Sequence, residues 1–384
     1  MNKYFYRIPL FCIVTSLYWF SMYSYVPILS PYAESLGASY RMIGVIVGSY
    51  GFTQMLLRIP LGILSDRRGN RKLFIIMGVA ISLISAAGLW FSTSPLGLLA
   101  FRGLSGIAAS AWVAYTVLFP TYFAQQESSK AVGIINSFTT IGQVSATLIG
   151  GYMAQRFGPR STFLVAIIGG LIGLLLSLFV VENKNIDRQP FTIPQLLSVS
   201  KNRELLLVSG LAILVQFITF ATTYGFTPVV AKNIGASDAQ LGILVTVSAL
   251  PAVFSSAASG SFFTKHYGEK RTIIGGFIII SLACASIPFI KNIHLLYISQ
   301  AFGGIGRGLV YPLLMALSIK SVDDSKRATA MGFFQAIYGI GMFLGPAFTG
   351  FVSNVWGLSI GFALTAVLGF LGALIAKGFI KQAN

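Results

Sequence analysis

Apolar stretches of about 20 residues follow one another along the whole chain, separated mostly by short polar loops. Wound as a helix, such a stretch crosses a hydrocarbon core of about 30 Å. In lipid every backbone N–H and C=O must find a partner within the protein, so helices and closed barrels are the spanning solutions. The runs are continuous rather than alternating, which disfavours a barrel. Twelve spans are predicted, over 8–30, 42–63, 73–92, 96–120, 131–154, 161–181, 204–229, 240–263, 272–290, 293–318, 328–353 and 357–378. The expected fold class is an all-α integral membrane protein. Only 10% of the 384 residues are charged, against roughly a quarter in a soluble domain.

The net charge of +17 is a matter of topology rather than of nucleic acid. Of the 27 Lys and Arg, Arg58, Arg102 and Arg307 fall inside spans, and Arg41, Arg156, Arg160, Lys232 and Lys291 lie on one side. The other 19 lie on the opposite side, which the positive-inside rule makes cytoplasmic. Both termini are then cytoplasmic, in a multi-pass protein of the cell membrane. The apolar run behind Lys3 and Arg7 is too long for a signal peptide and lacks a small-x-small cleavage site, so it reads as the first span. Cys12 and Cys284 sit within apolar runs and read as buried thiols. No ligand spacing calls for a metal or a cofactor. The spans hold no cluster of acids, histidines or nucleophiles, so an enzyme is not expected.

The chain repeats itself. Leu36-Gly37-Ala38-Ser39 and Ile43-Gly44 match Ile234-Gly235-Ala236-Ser237 and Leu241-Gly242 at an offset of 198. Gly69, Gly133, Gly142, Gly151 and Gly158 match Gly268, Gly332, Gly341, Gly350 and Gly357 at 199. Six spans per copy put both copies in the same orientation, as parallel repeats about an axis along the membrane normal, with a substrate site near the midplane between them. The expected division is an N-terminal six-helix bundle over 1–182, a cytoplasmic linker over 183–203 with a surface helix near 191–199, and a C-terminal bundle over 204–384.

One loop concentrates charge. Asp66, Arg67, Arg68, Arg71 and Lys72 fall within seven residues, between Gly62 and the third span. Here the chain resembles the major facilitator superfamily, whose loop between spans 2 and 3 reads G-x-L-x-D-R-x-G-R-[RK]-[RK]. Gly62, Leu64, Asp66, Arg67, Gly69, Arg71 and Lys72 fit that pattern, and Asn70 departs from it. Arg102-Gly103-Leu104-Ser105-Gly106 resembles the family's R-x-x-x-G pattern, often tied to proton coupling. Gly142 with Gly150-Gly151 resembles the antiporter signature, although Ala146-Thr147 replaces its Gly-Pro. Gly341, Gly345-Pro346 and Gly350 keep that Gly-Pro in the second copy. The resemblance implies a secondary transporter, leaning toward proton-coupled efflux of drug-like or metabolite molecules. It also implies that Asp66 latches the halves by contacting the start of span 11, at Ser325-Lys326-Arg327. Lys265 stands in the second copy where the first has Asp66, so that latch is expected to be one-sided.

Burying an unpaired cation in hydrocarbon is costly, so the three intramembrane arginines are expected to face protein or a cavity. Arg102 and Arg307 are candidates for coupling or substrate charge. Arg58 is assigned a structural duty near the interface, snorkelling or pairing with Asp66. No acid lies mid-span, which leaves Glu34 as a candidate coupling group and favours an anionic or zwitterionic cargo over a cationic one. Uptake or exchange of an organic anion is the alternative function, and a non-transporting receptor a third. Aromatic and amide side chains expected to line the cavity are Tyr18, Trp19, Tyr23, Gln54, Trp112, Tyr115, Asn136 and Gln143, with Gln216, Tyr224, Gln335 and Tyr338 from the second copy. The expected partners are a small molecule, protons and the bilayer, with the chain as a monomer.

Overall fold

A computed structural model describes residues 6–182, 198–320, 322–323 and 326–380. Most of the expected linker, nearly all of its surface helix, and Ser325 lie outside the described residues. The first half contributes α1 (Arg7–Ser35), α2 (Tyr40–Arg68), α3 (Arg71–Phe91), α4 (Pro95–Tyr122), α5 (Ser128–Phe157) and α6 (Ser161–Ser177). The second contributes α7 (Arg203–Asn233), α8 (Asp238–Ala258), α9 (Thr264–Ser286) and α10 (Ile293–Lys320). It ends with α11 (Arg327–Ile337, continuing as Gly339–Trp356) and α12 (Leu358–Phe379). No strand occurs among the described residues.

Asp238–Phe289 forms a run of 52 residues that is helical on both sides of Gly268. As one straight helix that run would measure about 78 Å, more than twice a hydrocarbon core. Gly268, at φ 79° and ψ 159°, divides it into two spans. Starts are set by side-chain caps. Ser39 accepts from the Met42 amide, and at the matching place Ser237 accepts from Gln240 while the Gln240 side chain accepts from the Ser237 amide.

The repeat is written in the backbone. The positive-φ residues of the described chain are Gly37, Gly69, Gly158, Gly235, Gly268 and Gly357, three pairs at offsets of 198 or 199. Packing repeats in the same way. α2 lies on α4 as α8 lies on α10; α3 on α6 as α9 on α12; α1 on α5 as α7 on α11. Large apolar side chains of α6 and α12, among them Ile168, Leu171, Leu175, Val367 and Leu374, point outward, as a lipid-facing surface requires.

Two seams join the halves, α2 against α11 and α8 against α5. Each is tight near the Gly37 and Gly235 turns, hereafter the Gly37 end. A Cβ on Gly44 would stand 2.2 Å from the Pro346 carbonyl oxygen, and one on Gly242 would stand 2.3 Å from that of Thr147. Gly44 with Gly242, and Thr147 with Pro346, are repeat partners. Small residues let the helix backbones meet there. The Thr147 and Thr246 hydroxyls, 3.0 Å apart, add a polar contact across the α5–α8 seam. The α2–α11 seam continues past Gly48, Gly51 and Gly339 toward the opposite, Gly69 end.

At the Gly69 end, Glu182 closes the start of α3. Its two carboxylate oxygens accept from the Arg71 and Lys72 amides at 2.8 and 2.9 Å. An anion there offsets the positive pole of the helix and satisfies amides that have no helical partner. Glu182→Ala is expected to cost about 1 kcal/mol, read as a melting point lowered by a few degrees. An unchanged melting point would contradict this capping role.

Candidate functional site

In the first half, α1 breaks at Ser24-Tyr25, ahead of Pro27, and the break brings Tyr25 to Arg102 on α4. Arg102 is 3% exposed. Its guanidinium lies 4.5 Å from the ring centre of Tyr50 and 5.6 Å from that of Tyr25. Its Nη1 donates to the Tyr25 and Ser105 hydroxyls, each at 3.3 Å. Ring faces and hydroxyls thus replace water around the cation.

The second half carries the counterpart. Tyr25, Tyr50 and Arg102 advanced by 198 become Thr223, Ser248 and Gln300, a register that holds in α4 and α10, where Gly106 meets the Tyr50 carbonyl as Gly304 meets that of Ser248. Thr223 donates to Gln300 at 3.2 Å and lies 3.4 Å from the Ser248 hydroxyl. The break in α1 is matched by a π-helical turn in α7, Thr222–Phe226. Such a turn frees backbone groups and often marks a functional position. Arg307, half-buried near the middle of α10, donates to the Ser248 carbonyl at 3.3 Å. With Thr219, Thr222, Thr223, Cys284 and Gln300 it helps line a small pocket.

Aromatic rings fill the space between these knots. Trp19 meets Tyr23 and Trp112, and Tyr23 meets Tyr224 of the other half edge-on at 5.9 Å. Tyr50 stacks on Phe220, also across the halves, at 6.0 Å. Tyr18 and Tyr115 are fully buried and stacked on each other, with the Tyr18 hydroxyl donating to the Ala108 carbonyl. Those two pack the interior of the first bundle in this conformation. Gln143, Gln216, Tyr224, Trp112 and Gln335 are half-buried, Gln54 and Tyr338 are buried, and Asn136 is exposed.

Nearer the Gly69 end the halves meet through a pair that sequence reasoning missed. Arg58, 5% exposed, donates from Nη2 to Gln335 Oε1 at 2.5 Å and from Nη1 to the Tyr338 hydroxyl at 3.4 Å. Arg58 therefore neither snorkels nor pairs with Asp66. A signal was present: Gln54 and Arg58 are four apart, Gln335 and Tyr338 three apart, so each pair shares a helix face.

Asp66 forms its ion pair with Arg71, at 3.0 Å and within its own half. Arg71 is buried, Gly62 is buried beside Val113, Lys72 is half-buried, and Arg67 and Gly69 are exposed. Arg327 is exposed at the start of α11. At the far end, Glu34 and Asn233 lie beside the Tyr40 hydroxyl, and Tyr40 meets Phe226 edge-on. The ion pairs of the described residues engage Asp66, Glu127, Asp238, Glu269 and Asp323, none of them with Arg58, Arg102 or Arg307.

Comparison with known proteins agrees with this architecture. The family model described as Major Facilitator Superfamily matches residues 11–228 and again 209–383. An uncharacterised MFS-type transporter of Methanocaldococcus jannaschii is 27% identical, covering 91% of this chain and 92% of its own. The multi-drug resistance efflux pump PmrA of Streptococcus pneumoniae is 24% identical, over 89% and 88%. A solved bacterial homolog of the human lysosomal transporter Spinster superposes with a TM-score of 0.80 at 18% identity, over 98% and 97%. Two half-length matches to one model fit two halves that are copies of each other, and the chain belongs to the major facilitator superfamily of membrane transporters.

Proposed function

We propose that the chain exports a small organic molecule across the cytoplasmic membrane by alternating access, as a monomer with both termini cytoplasmic and with protons as the coupling ion. The observation that carries this reading is the pair of repeat-matched glycine seams at the Gly37 end, which close one mouth between the halves. Two equivalent seams around one axis can part together, so that access passes from one face to the other. With the Gly69 end on the cytoplasmic side, the conformation described is closed outward. The name of PmrA, an efflux pump, supports the outward direction. The test is transport by the purified chain in proteoliposomes with an imposed pH gradient and a panel of cationic, neutral and anionic compounds. Movement driven by the gradient is expected; movement indifferent to it removes the protons from the proposal.

The loop latch belongs to the other half of the cycle. Asp66 facing Arg71 suits a state in which its carboxylate is turned away from the start of α11. When the cytoplasmic ends close, Asp66 is placed to turn to the first turn of α11, where a helix N-terminus and Arg327 favour an anion. Asp66→Asn is expected to lower the transport rate about tenfold and leave equilibrium binding of the same compound within about twofold. Undiminished transport in vesicles would remove the latch.

A second reading, uptake or exchange of an organic anion, is favoured by the three buried or half-buried arginines with no acid in ion-pair contact among the described residues. It predicts counterflow of an anionic compound without any pH gradient.

A further inference from the structure

We infer that Arg58 is the residue that reads a carboxylate on the cargo, and that the carboxylate does so by taking Arg58 away from Gln335 and Tyr338 of the other half. This rests on the transporter reading above. Arg58 lies four residues past the middle of α2, about 6 Å along that helix. A cation at that depth is retained where it meets an anion or a cavity, and here its hydrogen-bond partners are neutral. Its Nε–H is buried and has no partner, a feature it shares with Arg102, so what sets it apart is where its other donors go.

The first half also leaves other buried donors over. The Trp19 Nε1–H is likewise buried without a partner, as is the Tyr115 hydroxyl. Both belong to the ring cluster of the first half, in which Tyr18 stacks on Tyr115 and meets Trp19 edge-on. Gln54, a turn before Arg58 on α2, has a buried Oε1 without a partner. A wall with surplus N–H and O–H groups and a cation, and with no carboxylate in contact, is complementary to an oxyanion.

The other two arginines are differently placed. Arg102 is enclosed by Tyr25, Tyr50 and Ser105 of its own half, and Arg307 donates to Ser248 of its own half. Arg58 is the one whose partners lie across the seam. A carboxylate accepts two guanidinium N–H groups at once, in charge-assisted bonds about twice as strong as those to a neutral amide. It therefore competes with Gln335 and Tyr338 for the same donors. Its arrival undoes the polar contact between α2 and α11 beyond Gly339, while the glycine contacts at the Gly37 end remain. Binding the anion and loosening the cytoplasmic part of that seam become one event.

The test uses the purified full chain in detergent at about pH 7, where a free carboxylate is ionised. Isothermal titration compares benzoate with benzamide, hexanoate with hexanamide, and adipate with adipamide. In at least one pair the carboxylate is expected to bind about tenfold more tightly. Arg58→Gln is expected to bring that pair within about twofold, and Arg58→Lys to keep part of the preference. Gln335→Leu, which removes the competitor, is expected to tighten carboxylate binding by about threefold or more.

Equal binding in all three pairs, a preference that survives Arg58→Gln, or weaker carboxylate binding by Gln335→Leu overturns the proposal. Should Arg58→Gln not fold, the lysine and Gln335 variants decide it. Vesicles that move a compound while the pairs bind equally leave the transporter standing without this subsite. Vesicles that move nothing, with a preference that tracks Arg58, leave the subsite without the transporter.

Discussion

Gly44→Leu is expected to arrest the cycle with the Gly37 end open. A Cβ at that position would stand 2.2 Å from the Pro346 carbonyl oxygen, a distance that no relaxed pair of atoms adopts, and a leucine adds three further carbons. The Pro346 oxygen belongs to helix backbone, so α2 and α11 must separate rather than a side chain turn aside. Overpacking of this kind costs about 1–3 kcal/mol or more. Where the halves are apart at that end, the same leucine projects into free space and costs little. The penalty therefore acts on one conformation, and 3 kcal/mol spent there shifts the population by about 150-fold.

Transport is expected to fall by about tenfold or more. A cysteine at Tyr23, which faces Tyr224 across the halves, is expected to react faster with a membrane-impermeant maleimide added from the Gly37 side. The native Cys12 and Cys284 are each 2% exposed and contribute little background. Gly242→Leu, at the repeat-matched position against Thr147, should act in the same direction. Normal transport with unaltered labelling in both variants would mean that these seams do not move.

The second large effect is at Arg102. Truncation to alanine removes a cation that covers Tyr50 and serves Tyr25 and Ser105, and leaves a void between α1, α2 and α4. The loss is expected to be about 2–4 kcal/mol of stability, and transport goes with it. That variant alone would confuse folding with function. The molecule supplies a better one, because its second half solves the same packing problem with Gln300 between Thr223 and Ser248. Arg102→Gln is expected to fold, with a melting point within a few degrees of the parent, and to lose gradient-driven transport by about tenfold or more. If the folded glutamine variant transports normally with an intact dependence on the gradient, Arg102 is a packing residue and the coupling group lies elsewhere.

The contrast between these residues and Arg58 shows where one-dimensional reading stops. Arg102 stood out because its neighbours Gly103 to Gly106 match a family pattern. Arg58 carried no pattern, and its place near Gly62 suggested an interfacial side chain. Its partner Gln335 is 277 residues away. Tyr18 and Tyr115 illustrate the opposite error of emphasis. Mid-span tyrosines suggest a cavity wall, but their rotation about the helix axes turns them into the first bundle. Asp66 was legible as a charged latch and as part of a loop, while its present partner Arg71 depends on how α2 ends and α3 begins.

What the amino-acid sequence determined by itself is the set of properties that repeat along a line. These are twelve apolar runs, the offset of 198 or 199 that makes the halves copies, and the glycine turns whose positive φ recurs in each half. Each follows from hydrophobic length or from local backbone freedom, and neither needs knowledge of a distant residue. What only the tertiary structure decided is which polar groups face each other. That covers Arg102 inside an aromatic cage, Gln300 in the matching knot, and Arg58 reaching across the seam. A buried hydrogen bond demands a partner within about 3 Å, and helix rotation, crossing and register set that distance only when all twelve spans pack together.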